Sequence, residues 1–113
     1  MQNSSLDNIF VYICCKNVQE ARKIAGHCVS ERLAASGNIL PNMESVYWWD
    51  GDINSANEAV LILKTTKDRY EEIEKAVNLL HSYECPCIVT LPVTGGYKPF
   101  LEWMRMAGLD SPL

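Results

Sequence analysis

The feature that most constrains this chain is a β-hairpin too long for the domain that carries it. Residues 39–49 read as a strand interrupted near Pro41-Asn42. Asp50-Gly51 follows, a pair that adopts the positive backbone angles of a two-residue hairpin turn at little cost. Residues 59–66 (Ala-Val-Leu-Ile-Leu-Lys-Thr-Thr) are the returning strand, which is expected to begin near Asp52 with an irregularity around Asn54–Asn57. A chain of 113 residues is one domain, taken here as 1–113 with an ordered core over about 9–107. Such a domain has one modest core. The tip of the hairpin therefore projects beyond it.

The remaining elements follow from hydrophobic periodicity. Residues 9–15 are rich in β-branched and aromatic side chains and apolar on both faces, the pattern of a central strand covered on both sides. Asn17 offers an N-cap with Glu20 three residues on. Apolar positions 21, 24, 25, 28, 29 and 33 then make one face of a helix over about 17–35, with His27 on its wet face and Gly37 ending it. Tyr70, Ile73, Val77 and Leu80 form the face of a second helix over about 67–81. Residues 87–93 are a fourth strand, and Pro92 puts its end at a sheet edge or a break. Pro99 suits the first turn of a short helix over about 98–107, stopped by Gly108. The order β-α-β-β-α-β plus a final helix is the split βαβ arrangement of ferredoxin-like α+β folds, an antiparallel sheet with two helices on one face. Phe10, Tyr12, Trp48 and Leu61 make the sheet too apolar to leave its other face bare. The last helix can cover part of that face, and other subunits the rest.

Several function classes are disfavoured by composition. Ten Lys and Arg stand against fourteen Asp and Glu, and no basic run exceeds two residues. Nucleic-acid binding driven by counterion release is therefore not expected. No apolar run approaches the roughly 20 residues of a bilayer span, so no membrane partner is expected. The first eight residues lack a basic region and an apolar stretch, so no secretion signal is visible and the expected compartment is the cytoplasm. The five cysteines are odd in number, which argues for free thiols rather than a disulfide framework. No Gly-rich phosphate loop, GxSxG or HExxH motif occurs, and the chain is not expected to be an enzyme.

Three features are candidates for function. His81, Tyr83 and Glu84 follow the second helix in a loop, where an imidazole, a phenol and a carboxylate suit a metal or a small polar ligand. Equally, His81 would satisfy helix carbonyls and Tyr83 plug a subunit seam. Lys64 is a lone charge in an otherwise apolar strand and must find a partner or solvent, either in a ligand cleft or as an edge lysine guarding against aggregation. Trp48 and Trp49 alternate faces, so one is expected in a core and one against another subunit. Cys14, Cys15, His27, Cys28, His81, Cys85 and Cys87 are the soft metal-ligand inventory, without the spacing of a structural zinc site.

Six segments carry a resemblance: Glu31-Arg-Leu-Ala-Ala35, Asn38-Ile-Leu-Pro41, Ser45-Val-Tyr-Trp-Trp-Asp-Gly51, Leu63-Lys-Thr-Thr66, His81-Ser-Tyr-Glu-Cys-Pro86 and Leu101-Glu-Trp103. In order and spacing they resemble the signature blocks of the CutA family, small proteins linked to divalent-cation tolerance, over about residues 9–107. The resemblance implies a ferredoxin-like subunit, a homotrimer in which the long hairpin docks on a neighbour, and kinship of architecture with PII-type signalling trimers. It also implies copper binding and a role in metal tolerance. There are departures. Ser36 stands where the family often has a thiol proposed as a copper ligand, Ser82 stands where proline is usual, and Cys85 and Cys87 are additions.

From the residues and the resemblance together, the expected protein is a non-enzymatic homotrimer of the metal-tolerance type with a weak copper site. Cys15, His81 and Cys85 are the expected ligands. The alternative is a PII-like trimer binding a small metabolite in an intersubunit cleft of Lys64, Tyr83, Glu84 and Trp103. Trp48 and Trp49 are assigned to the trimer interface in both.

Overall fold

The computed structural model describes residues 7–108; residues 1–6 of the stretch read above for a leader lie outside them. Eight residues, Asn8–Cys15, form β1, and Val18–Ser30 form α1. The hairpin is β2 (Ser36–Trp49) and β3 (Asp52–Thr66). A short 3-10 turn at Lys67–Arg69 leads into α2 (Tyr70–Leu80), followed by β4 (Ile88–Pro92) and α3 (Lys98–Met106). All pairings are antiparallel and the sheet order is β2-β3-β1-β4. This is the expected ferredoxin-like α+β arrangement. Among the described residues no helix is long and apolar enough to cross a membrane.

The core lies between the sheet and the two long helices. Ile9, Val11, Ile13 and Cys15 are buried at every second position of β1 and meet Leu61 and Leu63 of β3. Ala21, Ile24, Ala25 and Cys28 of α1 and Ile73, Ala76 and Val77 of α2 close over them. The intervening residues of β1, namely Phe10, Tyr12 and Cys14, are only half-buried. So β1 is central but sealed on one face in the single chain. At one end α3 packs through Leu101 and Met104, and buried Asn8 donates from its side chain to the Leu101 carbonyl at 3.0 Å.

Two boundaries differ from expectation. Helix α1 stops at Ser30, not near residue 35. Arg32 takes a left-handed φ of 62°, and the N–H groups of Leu33 and Arg32 bond the carbonyls of Cys28 and Val29. That pair of bonds is a Schellman closure formed without glycine, so the sequence carries no stop signal there. Gly37 instead lies in β2. A Cβ there would sit 3.2 Å from Leu63 and 3.3 Å from Ala25, so its lack of a side chain lets strand and helix approach. In the hairpin, the ladder runs unbroken from Asp52 to Glu58, and the irregularity falls between Leu40 and Met43, with Asn42 at φ 60°. Asp50 and Gly51 have φ of 53° and 81°, the signature of a type I′ turn.

The hairpin stretches the molecule to 50 × 26 × 23 Å, and the radius of gyration of 15.0 Å exceeds the roughly 13 Å of a compact chain this long. A β-branched side chain at the second turn position is strained at positive φ. Gly51→Val should therefore cost about 1–3 kcal/mol, read as a fall in melting temperature, while Gly26→Val, at an exposed helical position, costs less.

Candidate functional site

The capping box at the start of α1 is the seed of the buried polar site. Asn17 accepts from the Glu20 N–H at 2.9 Å, and Glu20 Oε1 reaches back to the Lys16 N–H at 2.9 Å. The second oxygen of the same carboxylate accepts the Ser82 N–H at 2.8 Å. One carboxylate thus ties the β1–α1 connection to the chain leaving α2. Burial pushes Glu20 up, but the two N–H donors, with His81 beside it, outweigh that and hold the carboxyl below its usual range.

His81 completes the site at the C-terminal end of α2. Its Nε2 lies 2.6 Å from the Cys14 carbonyl and 3.7 Å from Glu20 Oε1, while Nδ1 lies 3.1 Å from the Tyr83 backbone nitrogen. The tautomer with hydrogen on Nε2 satisfies both: Nε2 donates to the carbonyl and Nδ1 accepts the Tyr83 N–H. The thiol of Cys15 closes the group. Its sulfur, a Glu20 oxygen and a His81 nitrogen all lie within 4.8 Å of one another, and all three residues are buried.

These donors are right in kind for a transition-metal ion, but they are already engaged. Glu20 accepts two backbone N–H groups and both ring nitrogens of His81 are bonded. Burial first, then the Glu20 carboxylate, pushes the Cys15 thiol up to about 12, so it stays protonated at neutral pH. A metal ion there has to displace hydrogen bonds that hold β1, α1 and the loop after α2 together. The group is a structural clamp with a latent capacity for metal.

The structure thus brings together two of the expected metal ligands, Cys15 and His81, and leaves the third outside the group. Cys85 is exposed in the loop after α2. Its place is taken by Glu20. The capping pattern pointed to Glu20 as a local hydrogen-bonding residue, but nothing in the spacing showed that its second oxygen faces a loop 62 residues away.

The expected ligand cleft is not assembled within one chain. The Lys64 ammonium lies 5.7 Å from the Phe10 ring and 5.3 Å from the Phe100 ring, and Phe100 stacks near Trp103 at 5.4 Å. Tyr83 is at the other end of β3, donating to Glu58 at 2.7 Å; burial and that carboxylate push its phenol up. Glu58 and Lys64 are six positions apart on one strand, roughly 20 Å. Glu84 is exposed. The edge reading of Lys64 is also corrected, because β3 is an inner strand. Trp48 and Trp49 alternate, yet neither enters a core: they are 72% and 66% exposed at the hairpin tip.

Comparison with known proteins adds a family. The model of the CutA1 divalent ion tolerance protein matches residues 9–107. The chloroplastic CutA protein of Arabidopsis thaliana is 40% identical over 107 residues, 93% of this chain, and the divalent-cation tolerance protein CutA of Archaeoglobus fulgidus is 39% identical over 84% of it. The chain spans 92% of the archaeal protein but only 59% of the Arabidopsis one and 62% of the rice chloroplastic protein. The crystal structure of CutA1 from Oryza sativa superposes with a TM-score of 0.89 at 35% identity, covering 96% of this chain and all of that one.

The clamp predicts acid sensitivity. Glu20 is held below its unfolded value, so its contribution is present above the ordinary carboxylate range and is lost as pH falls through the depressed folded value. Glu20→Gln should cost about 1.5–3 kcal/mol at pH 7 and flatten the fall in stability between pH 5 and 3 in urea melts.

Proposed function

Because the chain belongs to the CutA1 divalent ion tolerance family, we propose that it is a non-enzymatic, homotrimeric module of the cellular response to metal ions, copper among them, working in the cytoplasm. The observation that carries the reading is the uncovered surface. Trp48, Trp49, Val46 and Ile53 stand exposed on a two-stranded ribbon that leaves the core behind. Leu40, Val89 and Leu91 are about half exposed on the sheet and Phe100 on α3. Among the described residues both sheet edges, β2 and β4, are open. A monomer rarely leaves that much apolar surface and backbone in water. Closed rotational symmetry would let each hairpin lie on the next subunit and give every ribbon the packing partner it lacks.

Within that assembly the Cys15–Glu20–His81 clamp supports a weak, pH-dependent affinity for divalent ions. A second reading, a PII-like trimer with a ligand in its clefts, is favoured by Lys64. Among the described residues its ammonium lies over two aromatic rings and has no ion pair. An anionic ligand contributed between subunits would complete it.

Sedimentation equilibrium tests the assembly. The mass should be about three times the 12.7 kDa chain, and a monomer at micromolar concentration contradicts the reading. Trp49→Ala should weaken assembly by about 2–4 kcal/mol, visible as dissociation on dilution.

Cobalt(II) titration tests the clamp. The thiolate-to-metal absorption band should be lost in Cys15→Ser. Apparent affinity should rise about tenfold per pH unit near neutrality, since binding must remove the Cys15 proton.

A further inference from the structure

At the end of the sheet remote from the hairpin turn, three segments meet around a cavity of about 540 Å³. Asp7 precedes β1, Thr66 to Arg69 lead from β3 into α2, and Arg105 comes from the last turn of α3. Thr66 pairs with Asn8, at the opposite end of the β1–β3 ladder from Cys15. The cavity therefore belongs neither to the hairpin nor to the clamp. Its lining carries three cations against two carboxylates, a local reversal in a chain whose net charge is −4.

The two guanidinium groups are held in place but not satisfied. Arg69 Nη2 donates to the Arg105 carbonyl at 2.9 Å, and Arg105 Nη2 pairs with Glu102. Arg69 Nη1 and Arg105 Nε are buried and, among the described residues, have no hydrogen-bond partner. A buried charged donor left unpaired is costly, and native structures leave few of them. A Cβ at Gly108 would collide with the Arg69 guanidinium, so the glycine after α3 lets the chain press that group into place. Lys67 is exposed and, among the described residues, in no ion pair. Asp68 accepts the Thr66 hydroxyl at 2.6 Å and leaves the cations unpaired.

Arginine presents its N–H groups in a planar fork that matches the oxygens of a phosphate, and lysine adds a mobile point charge. Inorganic phosphate alone does not fill a cavity of this size, which falls in the range of small-molecule sites. The two carboxylates repel a bare polyanion but accept hydrogens from hydroxyl groups. Together these demands describe a phosphate dianion on a small body rich in hydroxyls. We infer that the cavity binds a small phosphate monoester of the sugar-phosphate class. Its phosphoryl group sits on Arg69, Arg105 and Lys67, and its hydroxyls face Asp7 and Asp68. The site is independent of the metal clamp, of Lys64 and of the trimer.

Isothermal titration of the full-length protein with glucose 6-phosphate, ribose 5-phosphate and glycerol 3-phosphate tests this. At least one should bind saturably, once per chain and at least tenfold more tightly than inorganic phosphate, while glucose stays silent. Lys67→Met should cost at least tenfold in affinity (about 1.4 kcal/mol) and leave the melting temperature of the free protein unchanged. Arg105→Met should cost at least as much. Lys75→Met, an equal change of charge at an exposed position of α2, should match the wild type. Affinity should fall as pH drops through about 6, where a phosphate monoester takes up its second proton. Should Arg105→Met fail to fold, Lys67→Met and Asp7→Asn carry the test, and Asp7→Asn should narrow the preference for the ester over inorganic phosphate. No binding of any ester at millimolar concentration, equal binding of sulfate and inorganic phosphate (an adventitious ion only), or a loss that follows Lys64→Met instead overturns the proposal. Sedimentation mass and the cobalt(II) band report on the trimer and the clamp separately, so their failure is distinguishable from failure of this site.

Discussion

The structure depends on one strand, β1, and on the side-chain alternation along it. β1 pairs with β3 on one side and β4 on the other, so its backbone groups are satisfied within the sheet. Its odd-numbered residues from Ile9 to Cys15 bury completely against α1 and α2. The even-numbered ones, Phe10, Tyr12 and Cys14, face the side that the described residues leave half-covered. The two adjacent cysteines at its end therefore enter different chemistry. Cys15 becomes a protonated member of a buried hydrogen-bonded clamp. Cys14 lies opposite Cys87 across the β1–β4 pair, on the half-covered face.

The same asymmetry accounts for the hairpin. Up to the irregularity at Leu40–Met43 the β2–β3 pair belongs to the domain, with Ile39 packed on the core and Leu61 and Leu63 within it. Beyond it the ladder continues; Tyr12 reaches Met43 and Tyr83 reaches Glu58 at its base, but at the tip Val46, Trp48, Trp49 and Ile53 stand exposed. A free two-stranded ribbon is marginal in water. Two tryptophans on such a ribbon are therefore hard to explain except by a surface elsewhere that receives them. The proposed trimer supplies it, and it also supplies cover for the half-exposed residues of the open sheet face.

Much of the fold was legible in the sequence because its signals were local. Alternation marked the strands, Asp50-Gly51 marked the turn, Asn17 and Glu20 marked the start of α1, and Pro99 marked the first turn of α3. The end of α1 was not legible, because Arg32 adopts the left-handed position that glycine usually advertises. The candidate site was half legible. Cys15 and His81 stood out by residue type, but Glu20 looked like a capping residue only, and its reach to Ser82 is a tertiary fact. Cys85 is near His81 in sequence, but it is exposed in the loop after α2, and it is Cys87 that lies in register with Cys14. Alternation alone puts one of Trp48 and Trp49 in a core, yet both are exposed. Alternation says that two residues face opposite ways, not that either side is filled.

The central claim is that the hairpin and the open face of the sheet are stabilised from outside the chain, while β1 and the helices are stable within it. Amide hydrogen exchange across a dilution series tests this most directly. The account predicts that amides of residues 43–58 exchange slowly at high concentration and become fast on dilution below the assembly threshold, while β1 stays protected throughout. A hairpin whose exchange is the same at every concentration, across a range in which the mass falls to that of the single chain, would contradict it.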